Sequence, residues 1–529
     1  MMRTTERRNA RPSTRRTTPP KPSRAIDPDR WAPWAAVALA FAVRLTVQTT
    51  QPWVTVDGTE YIRLADAFAH GTPFRSVFPP GYPLLIAFAR LFVADRVRAA
   101  AMVSLVAGSL LPLPVWTLAR RALSPRWALL PLAVMVLHPT LVGFSTITMS
   151  DATYLTALTA GIAFAALAMP LPAGLALGFA YATRPEGLLP AALVVLAMLR
   201  SPGRARAAAL ALAGVLAIAI PCWLYFHATW GGWTLSPKLG VFPAPPSSWQ
   251  ANEALLRATP IGADSTAGVL PRAVRALGGA PGVAWTQLGS LLRLWPMPLL
   301  VLSLWGLTRR RGLESLPLLY LFVVPFLGLP GQPRFLMSVL PALAIAAAVA
   351  LAATSSRPLR LGAAVVALAG ALMCAVPMWP DILLPFDAHE QAQQEAGEWL
   401  DGQSQPDDAV MDRKPYVAFY AGRPYRVMPS GSYEDIIGAA QASGVRWLVL
   451  DEGVVRVFRP QLLPLLHDRG FREREGRLEG VYLGGRFHGY GIAIFKVLRP
   501  GESRTGRAPV LNVNWLDAPP GGAAPRAPR

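Results

Sequence analysis

Residues 79–95, PPGYPLLIAFARLFVAD, decide how the chain is threaded. The stretch is shorter than the about twenty apolar residues that cross a bilayer core, carries Arg90 and is flanked by prolines, so it reads as a helix lying in the interface. Counted as a crossing, it would invert every later loop. Left uncounted, it lets the next segment, AAAMVSLVAGSLLPLPVWTLARR, return to the side where the chain began.

The rest of the chain agrees with that threading. Its 529 residues are 53% hydrophobic and 16% charged, with a mean hydropathy of +0.34, too apolar for an ordinary soluble multidomain protein. The net charge of +20 does not indicate nucleic acid, because the arginines stand in short clusters between apolar runs, where they act as topology signals. Residues 1–30 form a basic, proline-containing arm expected to be disordered and cytoplasmic, with no cleavable signal peptide. From WAPWAAVALAFAVRLTVQT at Trp31, alternate crossings put RRALSPR (120–126), RSPGRAR (200–206), RRR (309–311) and RPLR (357–360) all inside. The expectation is a polytopic α-helical membrane domain over 31–380, with about eleven spans and interfacial helices in the first outer loop.

Beyond residue 381 the composition turns soluble. RWLVLD (446–451) reads as a near-continuous apolar strand between the helical patterns SYEDIIGAAQASG and PQLLPLLHDRG, which predicts a small extracytoplasmic α/β domain over 381–499. Residues 500–529, rich in Pro, Gly, Ala and Arg, read as a disordered tail. Cys222 and Cys374 lie in separate apolar runs and indicate packing rather than a disulfide or metal site.

With this topology Asp57, Glu60, Asp66, Asp151, Arg184, Glu186, Lys238 and Arg334 all fall at or near the outer ends of spans. Each has a plain local reading. Asp57 opens VDGTEYIRLADAF ahead of the stripe Tyr61, Leu64, Ala65, Phe68, with Glu60 three residues on, as in a capping box. Asp151 can cap the span it starts. Arg184 in TRPEG and Arg334 in GQPRF can snorkel to headgroups, and Lys238 can be a loop cation. His70 and His138 are isolated and assemble no metal site. Charges at one interface, without clusters at mid-membrane or an internal repeat, favour an interfacial site over a transport pathway.

The ordered set DGTEYIRLADAFAHG, PPGYPLLIAFARLF, LARRAL, SDATYLTAL, ATRPEGLLP and PRFLMSVLPAL resembles the GT-C superfamily of membrane glycosyltransferases, in the bacterial branch related to protein O-mannosyltransferases and aminoarabinose transferases. The resemblance covers roughly residues 31–380. It implies an integral protein of the bacterial plasma membrane, with a cytoplasmic N-terminus, that moves a sugar from a polyprenyl-phosphate donor to an envelope glycan, lipid or protein at the extracytoplasmic face. It also implies inversion at the anomeric carbon, Asp57 as catalytic base and Asp151 as a second catalytic-site residue. Arg184 and Arg334, and less directly Lys238, would face the donor phosphate; Glu186, Glu60 and Tyr82 complete the expected substrate-binding set. Relatives often carry two adjacent acids where this chain has Asp57 followed by Gly58. No cofactor is required on sequence evidence. A divalent metal stays open, because relatives carry one while Asp57 and Asp151 alone do not make a ligand set. The competing expectation from another class is a transporter or flippase for a lipid-linked glycan, and behind it a membrane scaffold.

Overall fold

Prolines and capping side chains set the helix ends in the computed structural model. It describes residues 28–50, 54–199, 205–237, 284–310, 312–319, 321, 333–383, 388–484, 491–506 and 510–511. The basic arm before residue 28, Lys238 and most of the loop at 230–286 lie outside the described residues.

Helix α1 (Pro28–Thr50) is followed by α2 (Val56–His70) and the nine-residue α3 (Gly81–Ala89), the helix expected in 79–95. Next come α4 (Arg96–Leu110), α5 (Pro112–Arg120), α6 (Pro125–Leu137), α7 (Pro139–Thr146), α8 (Asp151–Ala166), α9 (Pro170–Thr183), α10 (Leu188–Leu199) and α11 (Ala205–Trp230). Helices Ala284–Leu294 and Met297–Arg309 meet at a bend of 97°, and Arg334–Ala353 and Arg357–Leu383 complete the apolar part. Five helices among the described residues are long and apolar enough to cross a membrane, or up to seven if each bent pair, α6–α7 included, is one span. The other crossings in the expected eleven fall on α8, α9 and α10, of 16, 14 and 12 residues, and on 313–329, mostly outside the described residues. At about 1.5 Å per residue those three helices are shorter than a bilayer core.

Small residues let these short helices pack closely. A Cβ on Gly174 of α9 would lie 2.0 Å from the Ala211 carbonyl oxygen of α11, the close backbone approach typical of membrane helix pairs. The outermost helix, Arg357–Leu383, instead leaves Leu361, Val365 and Leu368 exposed, as a lipid-facing surface requires. Inside the bundle Arg44 of α1 is fully buried and donates from Nη2 to the Met135 carbonyl at 2.9 Å. That oxygen would ordinarily accept from residue 139, which is proline and has no N–H. The buried cation thus supplies the donor that the α6–α7 bend removes.

The bundle has chemically distinct ends. At one, Asp29 at the start of α1 accepts from Arg120 Nη2 at 2.9 Å, and Arg310 donates to the Arg121 carbonyl. The other end gathers the starts of α2, α8 and the Arg334–Ala353 helix with the end of α9.

The C-terminal region is built on a six-stranded mixed sheet of order β2-β1-β3-β5-β4-β6, with β1 Val410–Asp412, β2 Tyr425–Val427, β3 Trp447–Asp451, β4 Leu478–Gly484, β5 Ile492–Val497 and β6 Val510–Leu511. Strand β3 is buried along its whole length. Leu448 and Leu450 pack with Ile436, Ile437 and Leu465 on one face, while Trp447 and Val449 pack with Ala392, Ala396 and Val417 on the other. This two-sided burial is why its sequence is continuously apolar rather than alternating.

Within the stretch expected to be a disordered tail from 500, residues 500–506 and 510–511 are described and tied to the sheet. Glu502 accepts from both Arg446 Nη atoms at 2.7 Å, Thr505 bonds Glu479, and β6 pairs in parallel with β4. These ties are polar and the strand only two residues long, so neither leaves a hydrophobic period in the sequence. The sheet region docks on the bundle through Tyr416 and Phe419, which pack with Val54, Tyr61 and Phe78.

In the same region the Glu475 carboxylate is pushed down to about 2 by hydrogen bonds from Arg477 and from the Tyr433 hydroxyl. A depressed folded value contributes stability that is present above the ordinary value of 4.5 and lost as pH falls toward 2. Amide exchange of β4 in the full-length protein should therefore accelerate as pH is lowered through that window, after correction for intrinsic rates. Glu475→Gln should flatten the acceleration; an identical profile in the variant would remove Glu475 as its source.

Candidate active site

The start of α2 is fixed from outside the helix. Thr55 is its N-cap, accepting from the Gly58 N–H at 2.8 Å, and Thr55 is held in turn by Thr148, whose Oγ1 accepts from its N–H at 3.0 Å and whose carbonyl accepts from its Oγ1 at 3.0 Å. The capping reading of Asp57 is thereby corrected: α2 starts at Val56, so Asp57 lies inside its first turn, and Thr55, just outside it, takes the position a cap must occupy. The capping box through Glu60 falls with it, since Glu60 Oε1 accepts from Ser76 Oγ at 2.7 Å.

Asp57 is left facing a different partner. Its Oδ2 accepts from Arg334 Nη1 at 3.2 Å, the two side chains being 13% and 25% exposed. The residue before α8 is tied to the same corner, with Ser150 Oγ and the Tyr61 hydroxyl 3.0 Å apart. Asp151 itself is almost fully buried and pairs with Arg184, whose Nη2 also lies 2.6 Å from Glu186 Oε1. The Phe335 ring joins the two pairs, with the Arg184 and Arg334 guanidinium carbons 5.3 and 5.0 Å from its centroid. Residues from four separate segments thus meet in one partly open cluster.

The glycine after Asp57 has a steric cause. A Cβ at Gly58 would stand 2.0 Å from Thr148 Oγ1 and 2.8 Å from the Thr148 carbonyl oxygen, both held by Thr55. A second acid at this position has no room. Gly58→Ala should destabilise the α2–α8 junction by about 1–3 kcal/mol through overpacking, read as a lower thermal midpoint; an unchanged midpoint would show that the junction yields freely.

The other expected site residues are distributed as follows. Arg184, expected beside a donor phosphate, is engaged by two carboxylates. Asp66 is taken by Arg90. Tyr82 is fully buried, with its hydroxyl 3.0 Å from the Ala100 carbonyl and 2.7 Å from Ser104 Oγ, so it supports the cluster from beneath. Lys238 lies outside the described residues. The sequence reading missed Tyr61 and Phe335 as site-forming residues, although Tyr61 stood in the α2 stripe and Phe335 beside Arg334.

Two atoms in the cluster lack hydrogen-bond partners among the described residues: Asp151 Oδ2 and Arg334 Nε. As to a metal, no group of three or more His, Cys, Asp or Glu side chains able to hold one occurs among the described residues. Asp57 and Asp151 are each charge-paired with arginine and do not make the oxygen-rich set a hard cation takes.

An apolar groove of about 540 Å³ runs between α3, α4, α8 and α9, lined by Leu85, Phe88 and Phe92 on one side and by Val106, Ala160 and Phe179 on the other. Thr153, two residues beyond Asp151, also lines it, and its buried hydroxyl has no hydrogen-bond partner among the described residues.

No protein-family profile and no curated protein matches the sequence. Solved structures do match by shape. Oligosaccharyltransferase AglB from Archaeoglobus fulgidus, in complex with an inhibitory peptide and a dolichol-phosphate, aligns with a TM-score of 0.57 at 14% identity over 86% of this chain and 74% of that one. The Archaeoglobus fulgidus oligosaccharyltransferase in complex with Zn and sulfate gives 0.55 at 16%, over 85% and 72%. ArnT from Cupriavidus metallidurans bound to undecaprenyl phosphate gives 0.52 at 16%, over 88% and 97%. At such identities the likeness is one of architecture, and it spans most of the chain: the chain has the fold of the GT-C membrane glycosyltransferases.

Proposed function

We propose that the protein is an integral membrane glycosyltransferase that moves a sugar from a polyprenyl-phosphate donor to an envelope lipid, glycan or protein at the extracytoplasmic face. The observation that carries this reading is the Asp57–Arg334 pair, part of a cluster whose Asp151 begins the same helix that floors the apolar groove. Such a groove suits an isoprenoid chain, with Thr153 as a polar foot near the phosphate. Similar structures were solved with a dolichol-phosphate and with undecaprenyl phosphate, which supports the donor class.

In a single displacement the acceptor hydroxyl attacks the anomeric carbon from the face opposite the phosphate. Asp57 takes the hydroxyl proton, the new C–O bond forms, and the electron pair of the breaking C–O bond leaves on the phosphate. Arg334 then has two tasks. In the resting protein it orients Asp57; in the transition state its remaining N–H groups meet the phosphate as negative charge grows there, which stabilises the transition state more than the ground state. Arg184 acts indirectly by holding Asp151 and Glu186.

Removal of the protein should make a polyprenyl-phosphate sugar accumulate and one envelope glycan disappear. An unchanged donor pool with the finished glycan trapped on the cytoplasmic side would instead support transport. Within the enzyme, Ala160→Phe, which fills the groove, should raise the donor KM by about tenfold, or ~1.4 kcal/mol, with little change in acceptor KM. Unaltered donor use would mean that the lipid chain lies elsewhere.

A further inference from the structure

A second polar constellation lies where α2 and α4 meet the C-terminal region. Six residues beyond Asp57, hence about 9 Å along α2, Arg63 donates to the Arg423 carbonyl at 3.3 Å. Arg96, the first residue of α4, donates to the Phe419 carbonyl at 2.7 Å and lies 4.2 Å above the Phe419 ring. Arg423 is 2.8 Å from Asp401 Oδ1 and donates to Ser404 Oγ at 2.7 Å, while Arg426 makes one long contact among the described residues, 3.5 Å to the Tyr425 carbonyl. All four arginines line one cavity of about 400 Å³, together with Phe419 and Tyr425.

The plain explanation is that these arginines tie the C-terminal region to the bundle. It accounts for only part of what they offer. A guanidinium has five N–H groups, and Arg63, Arg96 and Arg426 each use few of them, on backbone carbonyls. Among the described residues Asp401 is the one carboxylate ion-paired with any of the four. Burial first, and then the neighbouring Arg96, push the Arg63 guanidinium down to about 10, against the opposing influence of Tyr425 and Glu60. Arg63, Arg96 and Arg423 are held near one another by their bonds to the Arg423 and Phe419 carbonyls and Ser404 Oγ, and the exposed Arg426 lines the same cavity. The cavity falls within the roughly 300–1,000 Å³ usual for small-ligand sites, and guanidinium forks match phosphate oxygens in pairs.

We propose that Arg63, Arg96, Arg423 and Arg426 form an anion-binding pocket for a phosphate group, separate from the Asp57–Arg334 site and independent of whether the protein transfers sugar. The phosphate arrives either as a soluble anion or on a lipid headgroup, and the pocket reads the same chemistry in both.

The test uses full-length protein in phosphatidylcholine nanodiscs, titrated with inorganic phosphate at constant ionic strength. A parallel set of nanodiscs contains increasing phosphatidic acid and no added phosphate. The thermal midpoint should rise saturably in at least one series, because a ligand of the folded state stabilises it by mass action. Arg63→Gln and the exposed Arg426→Gln should each move half-saturation up by about tenfold, while Arg63→Lys, which keeps charge but not the fork, should fall between. Arg469→Gln, which removes an exposed ion pair with Glu473, should respond like the natural protein. Response to inorganic phosphate assigns a soluble or substrate-borne phosphate, and response to phosphatidic acid alone assigns a headgroup. Absence of response to both, or equal response in Arg63→Gln, Arg426→Gln and the natural protein, overturns the pocket.

Discussion

Asp57→Asn is expected to abolish glycosyl transfer while leaving the fold intact. The helix start does not depend on this side chain, because Thr55 caps α2 and Thr148 holds Thr55. Asparagine is close to aspartate in shape and can still accept from Arg334 through its amide oxygen, so the corner formed with Tyr61, Ser150 and Phe335 should persist. What it lacks is basicity. Loss of a positioned base costs about 10²–10⁴-fold in rate, and the loss should appear in kcat with donor binding nearly preserved. Asp57→Asn, Asp57→Ala and the natural protein would be compared in lipid with a labelled polyprenyl-phosphate sugar, alongside thermal midpoints. Near-normal turnover by Asp57→Asn would remove Asp57 from the mechanism and leave it as an ion-pair partner of Arg334.

Replacement of Arg184 should produce the largest loss of stability. The guanidinium separates Asp151 from Glu186, with side-chain exposures of 11% for Arg184, 2% for Asp151 and 15% for Glu186. Arg184→Met keeps an unbranched apolar stem but removes the guanidinium that lies over the Tyr154 and Phe335 rings and leaves two carboxylates in a poorly solvated corner. Removing one partner of a buried pair costs about 3–5 kcal/mol, since the remaining charge has no compensation. A marked fall in thermal midpoint and early proteolysis near the α9–α10 junction are expected. Adding Asp151→Asn should restore part of the midpoint, because the worst uncompensated charge is then gone. The assignment fails if Arg184→Met melts with the natural protein, or if Asp151→Asn adds its full penalty on top.

These two results separate chemistry from architecture at one cluster. The first variant keeps every packing contact and removes a proton acceptor. The second keeps Asp57 and removes the charge that fixes its neighbours, so any activity it loses should follow the amount of folded protein rather than kcat.

Much of this arrangement was legible in the sequence. Apolar runs and arginine clusters gave the helices and their two chemically different ends, because hydrocarbon admits few charges and the chain must place them somewhere. RWLVLD stood out as a strand because both of its faces are covered. The ordered segments around Asp57, Asp151, Arg184 and Arg334 marked residues that the structure brings into one cluster, through side chains that the sequence could name but not pair.

What remained hidden depends on atoms brought together from distant parts of the chain. Local spacing made Asp57 and Glu60 a capping box; the contact between residues 55 and 148 transferred the cap to Thr55 and gave Asp57 to Arg334. The glycine after Asp57 carried no local reason in the sequence; its reason is Thr148, which leaves no room for a side chain there. The four arginines at residues 63, 96, 423 and 426 are unremarked in four separate segments and become a pocket only where the C-terminal region docks. Composition and period thus determined which segments form apolar helices and which polar residues stand at their ends, because transfer free energies act on each segment separately. Tertiary packing alone decided which of those residues became partners, because hydrogen bonds and ion pairs depend on ångström-scale approach between groups that the sequence leaves far apart.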